Sequence, residues 1–247
     1  MRVVEYGKGN ADVLVLLHGG GLSWWNYRKE AELLEQCYHV VLPILDGHGD
    51  SDCDFISIEQ NAKEIIAYID GHFGGRVLLI GGCSLGGQIL VEILTQKRDI
   101  CRYAIIESAL VKPMRMTHML VRPMIGMSYG LIKKPWFARL QFQSLKIRKD
   151  LYEDYYRDTC KIRKNNMISF LEANSDFQIQ PALCENPARV LVMVGAKEQR
   201  IMRSSAKMLH EALQNSSMCV LDGFCHGDCS LNHPDEYVNQ INHLLHE

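Results

Sequence analysis

The chain has 247 residues, 47% hydrophobic and 23% charged, the balance of a globular protein with room for one α/β domain and an insertion, or at most two small domains. Its formal net charge of −2 supplies no whole-protein field that would draw nucleic acid or an anionic membrane. No stretch reaches the roughly 18 uninterrupted apolar residues of a membrane span, so stable membrane insertion is not expected.

Residues 1–7 lack the apolar core of a signal peptide, and the nine scattered cysteines suit free thiols in a reducing compartment; the expected location is cytoplasmic. A single short strand is expected near Val3. Residues 13–17, Val-Leu-Val-Leu-Leu, read as a buried strand that ends on His18-Gly19-Gly20-Gly21. A helix follows over about 26–36, with Ala31, Leu33 and Leu34 on its apolar side. Residues 40–45 form the next run and end on Asp46-Gly47-His48-Gly49. Ser57 with Gln60 three residues on makes a capping box, and Ile58, Ala62, Ile65, Ile66 and Ile69 supply the stripe of the helix it starts. Residues 76–80 are a third recognised strand, ending on Gly81-Gly82-Cys83-Ser84-Leu85-Gly86-Gly87, and the helix after it carries Ile89, Leu90, Ile93 and Leu94. A fourth strand is read at 103–106, a fifth at 189–194 and a sixth at 218–221, with a last helix opening near Pro234.

Short continuous apolar strands alternating with helices describe a doubly wound α/β architecture around a mostly parallel sheet covered on both faces. In such sheets ligands sit beyond the carboxyl ends of the strands, and the unusual residues fall there. The alternation stops between the fourth and fifth recognised strands. This divides the chain into a core of 1–110 and 187–247 and a helical insertion of 111–186 that would cap the carboxyl edge. The basic run Lys146-Ile147-Arg148-Lys149 reads as a solvated helix face.

Gly82-Cys83-Ser84-Leu85-Gly86 is a G-x-S-x-G pentapeptide between a strand and a helix. Small residues two before and two after the serine let strand and helix approach closely. The sharp turn exposes the hydroxyl at a helix N-terminus, where free N–H groups favour developing negative charge. The plainer reading is a glycine-rich turn that holds a phosphate.

With these segments in order, the sequence resembles the α/β-hydrolase family over nearly its whole length. His18-Gly19-Gly20-Gly21 is similar to that family's oxyanion loop, Asp46 to Asp52 to the loop after its next strand, and Gly82 to Gly86 to its nucleophile elbow. Val194-Gly195-Ala196-Lys197-Glu198 resembles the loop that carries the acid, and Gly223-Phe224-Cys225-His226-Gly227-Asp228 the loop that carries the histidine. The order serine, acid, histidine is the family's own. The resemblance implies Ser84 as nucleophile, His226 as general base and acid, and Glu198 as the orienting acid. Oxyanion donors would be the backbone N–H groups of Leu85 and, by resemblance, Gly20. Two features depart from the common pattern. The acid position usually holds aspartate, which leaves Glu107, at the end of the fourth recognised strand, as a rival. The family's first hairpin is curtailed or absent.

His18 and His48 read as loop-fixing hydrogen bonders, and His233 as a helix-start residue. Cys225, His226, Asp228 and Cys229 lack the paired spacing of a structural zinc site, and no metal or cofactor is implied. Cys83 reads as a packed residue facing away from the site. The insertion carries Met114, Met116, Met119, Met124 and Met127 with Trp136, Phe137 and Phe142. Some pack the cap, while others, Met124 and Met127 with Trp24 among them, would border a plastic apolar pocket for a small or medium ester. The resemblance leaves three functions open: a carboxylic ester or thioester hydrolase, a carbon–carbon bond hydrolase, and a ligand-binding receptor that retains the pocket. Oligomeric state has no signal in the sequence.

Overall fold

The computed structural model describes residues 1–246, and among them seven strands form one sheet. They are β1 (Val3–Tyr6), β2 (Val13–Leu17), β3 (His39–Pro43), β4 (Val77–Cys83), β5 (Cys101–Glu107), β6 (Arg189–Gly195) and β7 (Ser216–Leu221). Their spatial order is β1-β3-β2-β4-β5-β6-β7, parallel throughout except that β1 runs antiparallel to β3. The fold is the doubly wound α/β arrangement expected, and β1 is the single strand read near Val3.

β2 explains why the apolar runs are continuous. Val13, Val15 and Leu17 enter the core on one face of the sheet, while Leu14 and Leu16 enter the core on the other. Both faces are covered, so every position excludes water and polar alternation has no use. The core helices are α1 (Arg28–Leu34), α2 (Ile58–Phe73), α3 (Leu85–Gln96), α8 (Arg200–Ala212), α9 (Asp228–Asn232) and α10 (Pro234–His246). Ser57 caps α2 by accepting from the Gln60 N–H at 3.1 Å, as the capping box predicts, but the Gln60 side chain turns to Glu64 instead of reaching back. The helix read at 26–36 divides into a 3-10 turn over Trp24–Tyr27 and the shorter α1.

Between β5 and β6 lie α4 (Arg115–Ile132), α5 (Pro135–Ser144), α6 (Tyr152–Lys161) and α7 (Lys164–Asp176). A small separate core, with Leu22, Trp25, Phe142, Ile147 and Tyr155, ties these helices to the loop after β2, and the buried Trp25 indole donates to Asp158 at 2.9 Å. Gln88 of α3 makes a second tie: its amide donates to the carbonyl oxygens of Leu110 and Asn174 and accepts from the Asn174 side chain. The basic run at 146–149 is not a helix face. It lies in the connection after α5, with Ile147 buried and Lys146 at φ +55°.

The topology sets the site. β2 leads outward to β3 on one side, and the chain then crosses to β4 on the other, so the direction of winding changes between β2 and β4. These strands are neighbours, with Leu17 opposite Gly82. The loops leaving their carboxyl ends, 18–21 and 84 onward, therefore open beside each other at the crevice where doubly wound sheets bind ligands.

Candidate active site

Ser84 occupies the turn between β4 and α3 with φ +53° and ψ −112°, a conformation that costs about 1–3 kcal/mol and persists only where its surroundings impose it. They do so here. Any Cβ on Gly82 would collide with the Gly86 carbonyl, and one on Gly86 would collide with the Leu17 and His18 carbonyls. The turn is also pinned by the Ser84 N–H, which donates to the Glu107 carbonyl at 2.9 Å. Leu85 begins α3, so its N–H lacks a carbonyl partner within the helix. Gly20 lies against it, since a Cβ placed on Gly20 would sit 3.4 Å from the Leu85 Cβ.

His226 reaches the serine from the loop between β7 and α9. Its Nε2 stands 3.0 Å from Ser84 Oγ and its Nδ1 stands 2.8 Å from Glu198 Oε2. A carboxylate can only accept, so Nδ1 carries the proton and Nε2 is left to accept from the serine hydroxyl. Glu198 follows β6 with its side chain sealed from solvent. Its second oxygen accepts from the Gly195 N–H and from the Ser108 hydroxyl, each at 2.8 Å. Burial alone would raise its pKa, but the hydrogen bond and charge of His226, with the Gly195 and Ser108 donors, outweigh that and hold the carboxyl below its ordinary value. The acid loop turns back on itself, with the Glu198 N–H bonded to the Gly195 carbonyl.

Glu107 is differently employed. It is buried beneath α9, and its Oε1 accepts from the N–H groups of Cys229 and Ser230 in that helix at 3.1 and 3.3 Å. Burial pushes its pKa up to about 6, against the opposing pull of Ser230 and His226. Ser108, which had no motif to announce it, sits at φ +54° between the two acids. It donates to Glu198 and accepts from the Gly227 N–H at 3.2 Å, linking the acid loop to the histidine loop.

His18 and His48 are fully buried and hold loops. The Leu45 N–H donates to His18 Nε2 at 3.1 Å, and His18 Nδ1 donates to the Gly19 carbonyl. His48 Nδ1 donates to the Asp46 carbonyl. Burial, aided by the neighbouring His48, lowers the His18 pKa to about 3, and burial lowers that of His48 to about 4. His233 stacks on Phe224, and its carbonyl accepts from the Tyr237 N–H at the start of α10. Cys83 is buried in the core on the sheet face that also holds Tyr27 and Tyr237.

Two cavities lie near this constellation, and only the first is lined by its three side chains. One of about 280 Å³ contains Ser84, Glu198 and His226 and is walled by Leu110, Met114, Ile201 and Met202 with Asn174 and Gln199. A second, of about 220 Å³, runs from Gly20 and Leu22 under the inserted helices to Ile125, Ile132, Leu145 and Phe170. A larger depression of about 550 Å³ lies at the opposite edge of the sheet, against the starts of β2 and β4, far from any of these groups. Neither cavity at the site is bordered by the predicted Trp24, Met124 or Met127. Trp24 packs beneath the Arg28 guanidinium, 4.7 Å from its ring. Met124 and Met127 are 62% and 87% exposed, because α4 turns Val121, Ile125, Ser128 and Ile132 inward and the helical period sends 124 and 127 out.

No described helix is long and apolar enough to cross a membrane. The sequence profile of the Alpha/beta hydrolase family matches residues 14–240. A 101-residue stretch is 39% identical to a probable protein phosphatase methylesterase 1 from Caenorhabditis elegans; it covers 37% of this chain but only 28% of that relative's length. An esterase from Exiguobacterium antarcticum superposes with a TM-score of 0.83 at 18% identity, over 99% of this chain and 95% of the other. A bromoperoxidase from Bacillus anthracis does so with a TM-score of 0.83 at 15% identity, over the same shares. At these identities the two structures bear on the fold alone.

Proposed function

The chain belongs to the alpha/beta hydrolase family, and from that premise we propose that it is a serine hydrolase cleaving a small or medium apolar carboxylic ester or thioester through an acyl-enzyme on Ser84. The observation that carries the reading is the position of His226, 3.0 Å from Ser84 Oγ on one side and 2.8 Å from Glu198 Oε2 on the other.

Ser84 Oγ adds to the substrate carbonyl while its proton passes to His226 Nε2, and Glu198 stabilises the imidazolium that results. Negative charge on the carbonyl oxygen would be met by the backbone N–H groups of Leu85 and Gly20, which lie beside each other and, being fixed in the chain, need little reorganisation as charge develops. Collapse of the adduct expels the alcohol or thiol, which takes the proton from His226. Water, deprotonated by the same Nε2, then attacks the acyl-enzyme and restores the serine. The segment 111–186 acts as the cap. Its inner side, with Ile125, Ile132, Leu145 and Phe170, would hold the apolar part of the substrate, and Leu110, Met114 and Met202 the remainder.

The test is turnover of p-nitrophenyl esters of increasing acyl length by the wild type beside Ser84→Ala. Multiple turnovers by the wild type with a maximum at short or medium chains, and none by the variant, support the reading. Turnover by both proteins, or by neither when both are folded, refutes it.

A further inference from the structure

The sign of charge is strongly segregated along this chain. Residues 108–149 hold nine of its 27 Lys and Arg and none of its 29 Asp and Glu. The net charge of −2 conceals this, because the rest of the chain is acidic. The cationic stretch is the one that forms α4 and α5, and these helices also carry the largest group of exposed apolar side chains. Met116, Met119, Leu120, Met124, Met127 and Leu131 stand exposed along the outer side of α4, from 39% at Leu131 to 87% at Met127, and Trp136 and Leu140 stand out from α5. Arg115, Lys133, Lys134 and Arg139 lie among them, all exposed, while Arg122 pairs with Glu172 of α7 at 2.6 Å.

A stripe of this kind has no role in folding, since the opposite face of α4 already packs inward. An exposed apolar patch rimmed by charge marks an interaction surface. Its chemistry, long flexible apolar groups and a tryptophan among Lys and Arg on an amphipathic helix, is that of helices that lie in a membrane interface. Next to it is a groove of about 400 Å³, floored by Phe142, Ile147 and Tyr152 and rimmed by Arg139, Lys146 and Lys149, which offers cations above an apolar slot. A second copy of the chain fits poorly, because a two-fold contact would set this surface against itself and bring like charges together.

We propose that the outer face of α4 and α5 docks the protein on an anionic phospholipid surface, with the Met, Leu and Trp side chains in the interface and the Lys and Arg side chains against the headgroups. The inner side of the same helices roofs the cavity that begins at Gly20, so a docked molecule would hold that cavity against the lipid. Docking itself does not depend on the hydrolase reading and is measured without turnover.

The experiment is co-sedimentation with vesicles of phosphatidylcholine alone and of phosphatidylcholine with phosphatidylglycerol, at low and at high salt. The wild type is expected to sediment with the anionic vesicles and to be released by salt. Each Lys or Arg near an anionic surface contributes about 1 kcal/mol, so Lys133→Gln with Lys134→Gln lowers partitioning by more than about tenfold. Met119→Asp with Met127→Asp abolishes it, while Leu33→Asp on the exposed side of α1 leaves it unchanged, with circular dichroism reporting folding. Wild-type protein that ignores both vesicles, or binds both equally and regardless of salt, overturns the proposal. So does a dimer that the Met119 and Met127 changes dissociate in the absence of any vesicle binding, which would assign the surface to a second copy.

Discussion

Glu198 places one carboxylate oxygen 2.8 Å from His226 Nδ1, while the oxygen of Glu107 accepts from the backbone N–H groups of Cys229 and Ser230 in α9, the helix that follows the histidine loop. The two acids thus divide the work around one histidine. Glu198 faces the imidazole and is held below its ordinary pKa by that contact and two further donors, against the cost of burial. Glu107 faces the turn that follows the imidazole, and burial has raised its pKa to about 6. One is equipped to stabilise a cation, the other to hold a loop.

Substituting each acid separates these roles. Glu198→Gln keeps the shape but cannot stabilise the imidazolium and favours the wrong tautomer; kcat for a p-nitrophenyl ester should fall by roughly 10³–10⁴-fold. Glu107→Gln retains an oxygen for the Cys229 and Ser230 N–H groups and should keep kcat within about tenfold of wild type. A larger loss at Glu107 than at Glu198 would reverse the assignment.

Stability should register Glu107 instead. Its folded pKa of about 6 lies above the ordinary 4.5, so its contribution is fully present below pH 4.5 and is lost as pH rises through 6. The loss amounts to about 2 kcal/mol. Glutamine cannot ionise, so the unfolding free energy of Glu107→Gln relative to wild type should improve by about that amount between pH 4 and pH 7 in urea titrations. A difference that does not change with pH contradicts this.

The buried histidines act with the opposite sign. Folding lowers the pKa of His18 to about 3 and of His48 to about 4, so the stability they confer is present above pH 6.5 and is lost as pH falls towards those values. Between pH 6.5 and pH 5 the two histidines withdraw about 3 kcal/mol in total, while Glu107, Glu30 and Asp46, whose pKa values burial raises, act in the opposite direction. Urea unfolding of His48→Gln beside wild type isolates the histidine part: the stability of wild type relative to the variant should fall by about 1.5 kcal/mol from pH 6.5 to pH 5, and a difference that does not change with pH would rule it out.

The reading of the sheet and of the strand-end loops depends on features that are local in sequence. Continuous Val, Leu and Ile runs mean a sheet buried on both faces, and Gly82 and Gly86 have to be glycine because carbonyl groups occupy the space where a Cβ would stand. The insertion between β5 and β6 is legible in the sequence only as a region. Methionine at 124 and 127 is as compatible with an outer as with an inner face, and only the phase of α4, set by Val121 and Ile132 packing inward, decides between them. Ser108 was invisible for a related reason: a serine at a strand end bears no pattern, and its two contacts come from loops 90 and 119 residues away. The local charge of 108–149 was present in the sequence throughout, hidden by the averaging that a net charge performs.

The phase of α4 can be tested on substrate choice. Ile125 borders the cavity that begins at Gly20, whereas Met124 faces water. Ile125→Trp should fill the space and lower kcat/KM for the longer acyl esters by about tenfold or more while sparing acetate. Met124→Trp should leave the chain-length profile unchanged. The reverse pattern would restore Met124 to the pocket.

A nucleophilic Ser84 activated by His226 should be captured by a fluorophosphonate without any substrate, which intact-mass measurement on wild type, Ser84→Ala and His226→Ala reads out. One adduct per wild-type chain is expected, located at Ser84 by peptide mapping, with none on Ser84→Ala and labelling slowed by orders of magnitude in His226→Ala. A folded wild type that stays unlabelled, or an adduct at another residue, would exclude Ser84 as the nucleophile.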